Sequence, residues 1–283
     1  KDIFKKADEI LDYNISDIIL NGPQEKINQT TFTQPAIYLV SYSICEFLKK
    51  ETKFFENNFS FFAGHSLGEY TALTQAGAIS FEQGLLLLKN RAEAIQSAVP
   101  LGVGGMMAVL GAEIDHIENL IKENFDKIKC FIANDNSIGQ LILSGKNDEL
   151  EKLSSLLKEK KIKYIKLPVS APFHCELMRS ATERMETIIN KKNFNTLNYK
   201  VVSNVTAKAY ENINEIKKLL IKQIESPVRW RESVIYMIEN GVKNFIEIGP
   251  GKVLSGLVKR IDKTINVNTV NKFEDLTNIK LND

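Results

Sequence analysis

Apolar and polar residues alternate along this chain with two different periods, and their order predicts its elements. In FKKADEILDY and again in QPAIYLVSYSICEFLKK the apolar positions recur at helical spacing, so the chain up to about residue 60 reads as helical, with Pro35 suited to a first helical turn. NFSFFA is a short apolar run of the kind that forms a buried strand. SFEQGLLLLKNRAEAIQSA is an amphipathic helix that ends at VPLGVGG, where proline and glycines mark a boundary.

Between about Gly105 and Val169 the pattern changes to short apolar runs alternating with charged helices. MMAVLG reads as a strand, IDHIENLIKENF as a helix, KCFIAN and QLILSG as strands joined by the polar turn DNSIG, NDELEKLSSLLKEK as a helix and IKYIKLPV as a last strand. That β-α-β-β-α-β order matches the ferredoxin-like split motif. Helix ELMRSATERMETIIN, strand YKVVSN, helices NINEIKKLLIKQI and WRESVIYMIEN, strand KNFIEIG, a glycine turn and helix GKVLSGLVKRI follow. Strands alternating with helices predict an α/β fold with a mostly parallel sheet. The expected organisation is a large domain built from residues 1–103 and 170–283, with residues 104–169 inserted as a small α+β domain. A cleft between two such domains suits a ligand.

Composition narrows the partners. The chain has 283 residues, 43% hydrophobic and 25% charged, enough to bury a large core. A net charge of +2 is spread along it without a clustered basic face, which argues against nucleic acid. Cys45, Cys130 and Cys175 show no disulfide or zinc spacing, so a reducing compartment is expected. No apolar run is long enough to span a bilayer, and KDIFKKADEI lacks a signal core, which predicts a soluble cytoplasmic protein. The first residue is Lys, and a preceding segment is expected.

Chemistry first enters at Gly64-His65-Ser66-Leu67-Gly68. G-x-S-x-G is weak alone, but here it follows a strand and opens a helix, the setting of a nucleophile elbow. Ser66 would then project its hydroxyl, with the Leu67 N–H aimed at a developing oxyanion; a serine capping an ordinary strand-to-helix turn is the alternative. A base can be sought among three histidines. His65 adjoins the serine and should point away, His116 sits on a charged helix, and His174 lies in a proline-fixed loop after LPVSAPF, where it is either a surface residue or the base. At about 100° per residue, Arg91 shares a face with Gly84, Leu87, Leu88, Ala94, Ile95 and Ala98. A guanidinium there calls for an internal acid, a route to water or a substrate carboxylate.

GHSLGEYTAL, KNRAEAI, VSAPFHCELM, NSIGQLILSG, SPVRW and EIGPGKVLSGL together resemble the malonyl-CoA:acyl carrier protein transacylases, over about Asn21 to Ile261. The resemblance implies an α/β-hydrolase-like large domain with a ferredoxin-like insert. It implies malonyl-CoA and acyl carrier protein as partners, with no metal or organic cofactor, and a role in fatty acid biosynthesis. By the same resemblance Ser66 is acylated, His174 is the general base and Arg91 grips the malonyl carboxylate, while the Gln223 carbonyl holds the histidine. Gln34, Asn134 and Asn136 would flank the pocket, and Phe173 would crowd out a branched acyl group. Lys161, Lys163, Lys166, Arg229 and Arg231 are candidates to steer an acidic carrier protein. The family's opening strand and GQGSQ-like turn, which carries an oxyanion donor, have no counterpart in the sequence. The rivals are a stand-alone polyketide synthase acyltransferase, a general esterase and a catalytically dead binding module.

Overall fold

The computed structural model describes residues 2–51, 59–169, 171–272 and 274–275, so Asn58 of NFSFFA and Ser170 of VSAPFHCELM lie outside the described residues. The chain opens with helices α1 (Asp2–Leu11), α2 (Ile15–Asn21), the single turn α3 (Gln24–Ile27) and the long α4 (Thr30–Glu51). Contrary to the expected helix start, Pro35 is internal to α4. The extra turn before it is tied down by the Thr33 hydroxyl, which donates to the carbonyls of Ile27 at 2.6 Å and Gln29 at 2.9 Å.

Next come β1 (Phe61–Phe62), α5 (Gly68–Gln75) and α6 (Phe81–Ala98). A reciprocal cap starts α6: Gln83 N–H donates to Ser80 Oγ and Ser80 N–H to Gln83 Oε1. Gly84, Leu87, Leu88, Arg91, Ala94 and Ile95 of α6 are all buried, as their shared face requires. Gly84 lets α6 close on α4, since a Cβ there would stand 2.3 Å from the Tyr38 hydroxyl oxygen.

β2 (Gly104–Leu110), α7 (Ile114–Glu123), β3 (Cys130–Ser137), β4 (Gln140–Lys146), α8 (Asn147–Glu159) and β5 (Lys163–Lys166) follow. Their strands form a sheet in the order β3-β4-β2-β5, with antiparallel neighbours throughout. The two-residue period divides its faces. Met107, Val109, Leu141 and Leu143 join Ile117 and Leu120 of α7 and Leu150, Leu153 and Leu157 of α8 in one cluster. Met106, Ala108, Ala133 and Ile142 pack on the opposite side, against Leu167 and Phe173. That second face therefore supports the loop of His174.

The expected turn DNSIG is much shorter than its sequence suggests. β3 runs on through Asp135, Asn136 and Ser137, with irregular register at two points. Asp135 N–H donates to Val228 O at 3.0 Å and Val228 N–H to Ala133 O at 2.8 Å, which keeps these polar residues extended.

After a 3-10 turn (Glu176–Met178), the chain continues through α9 (Arg179–Asn190), β6 (Lys200–Val201), α10 (Ile213–Gln223), α11 (Trp230–Glu239), β7 (Asn244–Ile248), α12 (Val253–Ile261) and β8 (Asn266–Val270). β1 pairs with β6 and β7 with β8, both parallel. Parallel pairing is thus present as short ladders among the described residues, and NFSFFA and YKVVSN each contribute only two residues to it. β8 is a strand that the apolar pattern did not reveal, because NVNTV places polar side chains on half-buried positions. The largest core packs Leu11, Tyr38, Tyr70, Leu73, Leu88 and Met185 from successive helices. Each fully buried leucine contributes about 1.5–3 kcal/mol through removal of apolar surface from water.

Candidate active site

Ser66 stands where the chain leaves β1 and turns into α5. Gly64 is obligatory there, because a Cβ would lie 2.0 Å from the carbonyl carbon and oxygen of Gly68. At Gly68 the corresponding space is open. Ser66 itself has φ of 51°, a left-handed conformation that costs a non-glycine residue about 1–3 kcal/mol. Asn204 holds the turn in place: its Oδ1 accepts the Ser66 N–H at 2.7 Å and its Nδ2 donates to Gly64 O at 2.8 Å. Leu67 N–H, at the entry to α5, has no protein acceptor among the described residues and is available to an oxyanion.

His174 reaches the same point from the second face of the antiparallel sheet. Ser144 Oγ of β4 donates to Phe173 O at 2.6 Å, and Gly104 of β2 packs so tightly on Pro172 that a Cβ would come within 2.5 Å of it. His174 Nδ1 lies 2.9 Å from Gln223 O and Nε2 lies 2.8 Å from Ser66 Oγ. A carbonyl only accepts, so Nδ1 carries the proton and Nε2 is the acceptor for the serine hydroxyl. Burial, reinforced by the Arg91 cation, pushes the imidazole down to about 3. The ring is therefore neutral near pH 7, which is the state a general base requires.

Arg91 is 1% exposed. Its Nη1 donates to Gln34 Oε1 at 2.6 Å, and its Nη2 donates to Gln223 Oε1 and Ser66 Oγ, each at 3.0 Å. The Tyr70 ring lies 5.8 Å from its guanidinium carbon. Burial lowers its pKa. The cation neither reaches water nor forms an ion pair among the described residues; neutral oxygens hold it beside the nucleophile.

Gln34, Leu67, Arg91, His174 and Gln223 thus converge on Ser66. Phe173 is half-buried between the helical core and the sheet. Asn136 does not reach Ser66: its Oδ1 is 2.8 Å from Nε2 of His65, whose ring lies 5.7 Å from Trp230. Asn134 is 5% exposed and joined to Val228 through the backbone. His116 is exposed on α7, as its charged neighbours predict. Of the basic candidates, Arg231 is paired with Asp135 at 2.8 Å, Arg229 with Glu232, and Lys166 with Glu151. Lys161 and Lys163 are exposed.

Three further residues complete the site without having been apparent in the sequence: Asn204, Glu69 and Tyr210. Glu69 is fully buried one turn beyond Ser66. Its Oε1 accepts the Tyr210 hydroxyl, and its Oε2 accepts Gln223 Nε2 at 2.6 Å and Asn204 N–H at 3.3 Å. Burial raises its carboxyl to about 7, against the opposing effect of these hydrogen bonds and of Arg91. Only the position of Glu69 in GHSLGEY offered a signal, and VVSNVT does not mark Asn204 at all.

Comparison with known proteins places nearly the whole chain in a family. The acyl transferase domain family matches residues 3–274. The malonyl CoA-acyl carrier protein transacylase of Bacillus subtilis strain 168 is 38% identical over 282 residues, which cover 98% of this chain and 86% of that protein. The crystal structure of the malonyl CoA-acyl carrier protein transacylase from Clostridium perfringens superposes with a TM-score of 0.92 at 40% identity, covering 98% of this chain and 86% of that one. A malonyl-transacylase solved in complex with a type II PKS acyl-carrier protein gives a TM-score of 0.93 at 35% identity, covering 98% and 89% of the two chains. With a relative above one-third identity over nearly its whole length and a serine, histidine and arginine meeting at one point, the chain belongs to the acyl transferase domain family, among the malonyl CoA-acyl carrier protein transacylases.

Proposed function

We propose that the protein moves a malonyl group from malonyl-CoA to the phosphopantetheine thiol of an acyl carrier protein, in fatty acid biosynthesis, through a malonyl ester on Ser66. His174 Nε2 takes the Ser66 proton as Oγ attacks the thioester carbonyl, Leu67 N–H donates to the oxyanion, and the C–S bond breaks. His174 then returns the proton to the CoA sulfur. The carrier thiol then gives its proton to His174 as its sulfur attacks the ester carbonyl, the bond between the acyl carbon and Ser66 Oγ breaks, and His174 returns that proton to Oγ, which restores the free serine and the neutral imidazole. Side chains and the thioester bond suffice for this sequence, with no metal or organic cofactor.

The observation that carries the proposal is the 3.0 Å contact between Arg91 Nη2 and Ser66 Oγ. A buried cation with only neutral acceptors, one hydrogen bond from the nucleophile, fits an acyl group that ends in a free carboxylate. It rejects acetyl, which would leave the guanidinium without its anion. A carboxylate on Arg91 would also offset the repulsion that lowers His174, so the base strengthens when the correct substrate is in place. Phe173 limits branching at the acyl carbon beside it.

The antiparallel order β3-β4-β2-β5 with two crossing helices supports a ferredoxin-like insert at residues 104–169 in an α/β-hydrolase-like domain formed by residues 1–103 and 170–283. Buried free thiols at Cys45, Cys130 and Cys175 support a cytoplasmic setting, and no described helix is long and apolar enough to cross a membrane. Malonyl-CoA carrying a labelled malonyl group tests the transfer. Label should appear on Ser66, be absent from Ser66→Ala, and pass to a fatty-acid carrier protein faster than to a polyketide carrier. Arg91→Ala should reduce malonyl transfer at least roughly 100-fold while affecting acetyl transfer little. An unlabelled wild-type serine would overturn the proposal.

A further inference from the structure

Gln223 uses its main chain to hold His174, and its side chain is engaged separately. Nε2 donates to Ser66 O at 2.9 Å and to Glu69 Oε2 at 2.6 Å, while Oε1 accepts from Arg91 Nη2 at 3.0 Å. An amide can be turned end for end, so its neighbours must decide which end faces the guanidinium. The Ser66 carbonyl and the Glu69 carboxylate both demand a donor, which leaves the amide oxygen for Arg91. Reversed, the amide would set oxygen against two oxygens and N–H against a guanidinium N–H. Glu69 is in turn fixed by Tyr210 and by the Asn204 N–H.

We propose that Glu69 is a positioning residue that holds Arg91 ready for the free carboxylate of the acyl group, acting through the side-chain amide of Gln223. The proposal rests on the malonyl-transfer function given above. It assigns the fully buried acid of GHSLGEY to substrate selection, although this residue touches neither the nucleophile's hydroxyl nor the base.

Glu69→Gln preserves shape but offers one oxygen where the carboxylate offers two, and its NH2 invites Gln223 to reverse. E69Q should raise the KM for malonyl-CoA roughly tenfold or more, as expected for loss of a buried hydrogen-bond arrangement, with kcat changed less than about threefold. A positioning role further requires that the effect vanish when Arg91 is absent. Single-turnover acylation of Ser66 by malonyl-CoA should therefore be no slower in E69Q/Arg91→Ala than in Arg91→Ala alone, whereas general damage to the site would multiply the two losses. A wild-type KM in E69Q, or multiplicative losses in the double variant, overturns the proposal. Should E69Q fail to fold, Tyr210→Phe removes one of the donors that fix the carboxylate and should raise KM severalfold in the same direction; an unchanged KM in that variant overturns the proposal as well. If wild-type Ser66 is not acylated at all, the transfer function fails and this proposal falls with it. If acylation is normal and only the Glu69 variants behave as wild type, Glu69 alone is misassigned.

Discussion

Asn204→Ala tests the elbow at the point where its strain is contained. Asn204 is 1% exposed, and its side chain satisfies Ser66 N–H at 2.7 Å and Gly64 O at 2.8 Å, the two backbone groups that bracket the turn. Alanine leaves both unpaired away from solvent. At about 1–3 kcal/mol for each stranded buried group, the loss lies between about 2 and 6 kcal/mol. A water in the vacated space can satisfy one of them, so we expect about 2–4 kcal/mol, read as a lower midpoint in urea with an unchanged slope. The backbone bonds of Asn204 to Glu69 and from Arg229 N–H survive the substitution, so the surrounding loop should keep its course. Without the clamp, Ser66 can relax from its φ of 51°, and acylation should fall at least roughly tenfold as Oγ leaves His174 Nε2. Stability within about 0.5 kcal/mol of wild type, together with normal acylation, would show that the clamp does not hold the turn.

The two motif glycines should respond in opposite ways. Gly64→Ala places a methyl group 2.0 Å from the Gly68 carbonyl and should prevent normal folding, whereas Gly68→Ala meets open space at the first residue of α5 and should match or exceed wild-type stability by up to about 1 kcal/mol in thermal unfolding. Equal behaviour of the two variants would refute this asymmetry of the turn. Stability should also depend on pH through two opposing groups. His174 is held near 3 against an ordinary 6.5, so the unfolded chain binds more protons in that range and stability falls as pH drops through it. Glu69 is held near 7 against 4.5, so the folded chain binds more protons there and stability falls as pH rises through that range. The slopes oppose each other where the windows overlap. E69Q removes the second contribution and should make stability rise more steeply with pH across the overlap, by up to about 1.4 kcal/mol per pH unit; an unchanged slope in denaturation at several pH values would refute it.

What could be read from the sequence was mostly what is local in the chain. The face of α6 that carries Arg91 follows from helical spacing, and the strand order around β2 to β5 follows from alternation, because both patterns record burial of neighbouring residues. The family resemblance implies Gln34 beside the pocket and the Gln223 main-chain carbonyl on His174, but not that the amide oxygens of both glutamines face Arg91. Elements set by distant partners leave no mark in the local pattern. DNSIG looks like a turn, yet Val228 holds its polar residues in β3, and β8 has too little apolar character to announce itself beside β7.

The elbow shows most clearly where a motif stops being sufficient. GHSLGEY contains the glycine that permits the close turn and the acid beneath it, but Ser66 keeps its left-handed backbone through a residue 138 positions away, and its base arrives from 108 positions away. The Arg91 contact has the same character: helical spacing puts the guanidinium on a buried face, while the absence of an ion pair there, among the described residues, is decided by which oxygens other elements supply. The heptapeptide alone therefore cannot specify a nucleophile. Transplanted to another strand-to-helix turn without equivalents of Asn204 and Gln223, the same seven residues would lose the hydrogen bonds that offset the strain, and Ser66 would revert to the ordinary capping geometry that its sequence equally allows.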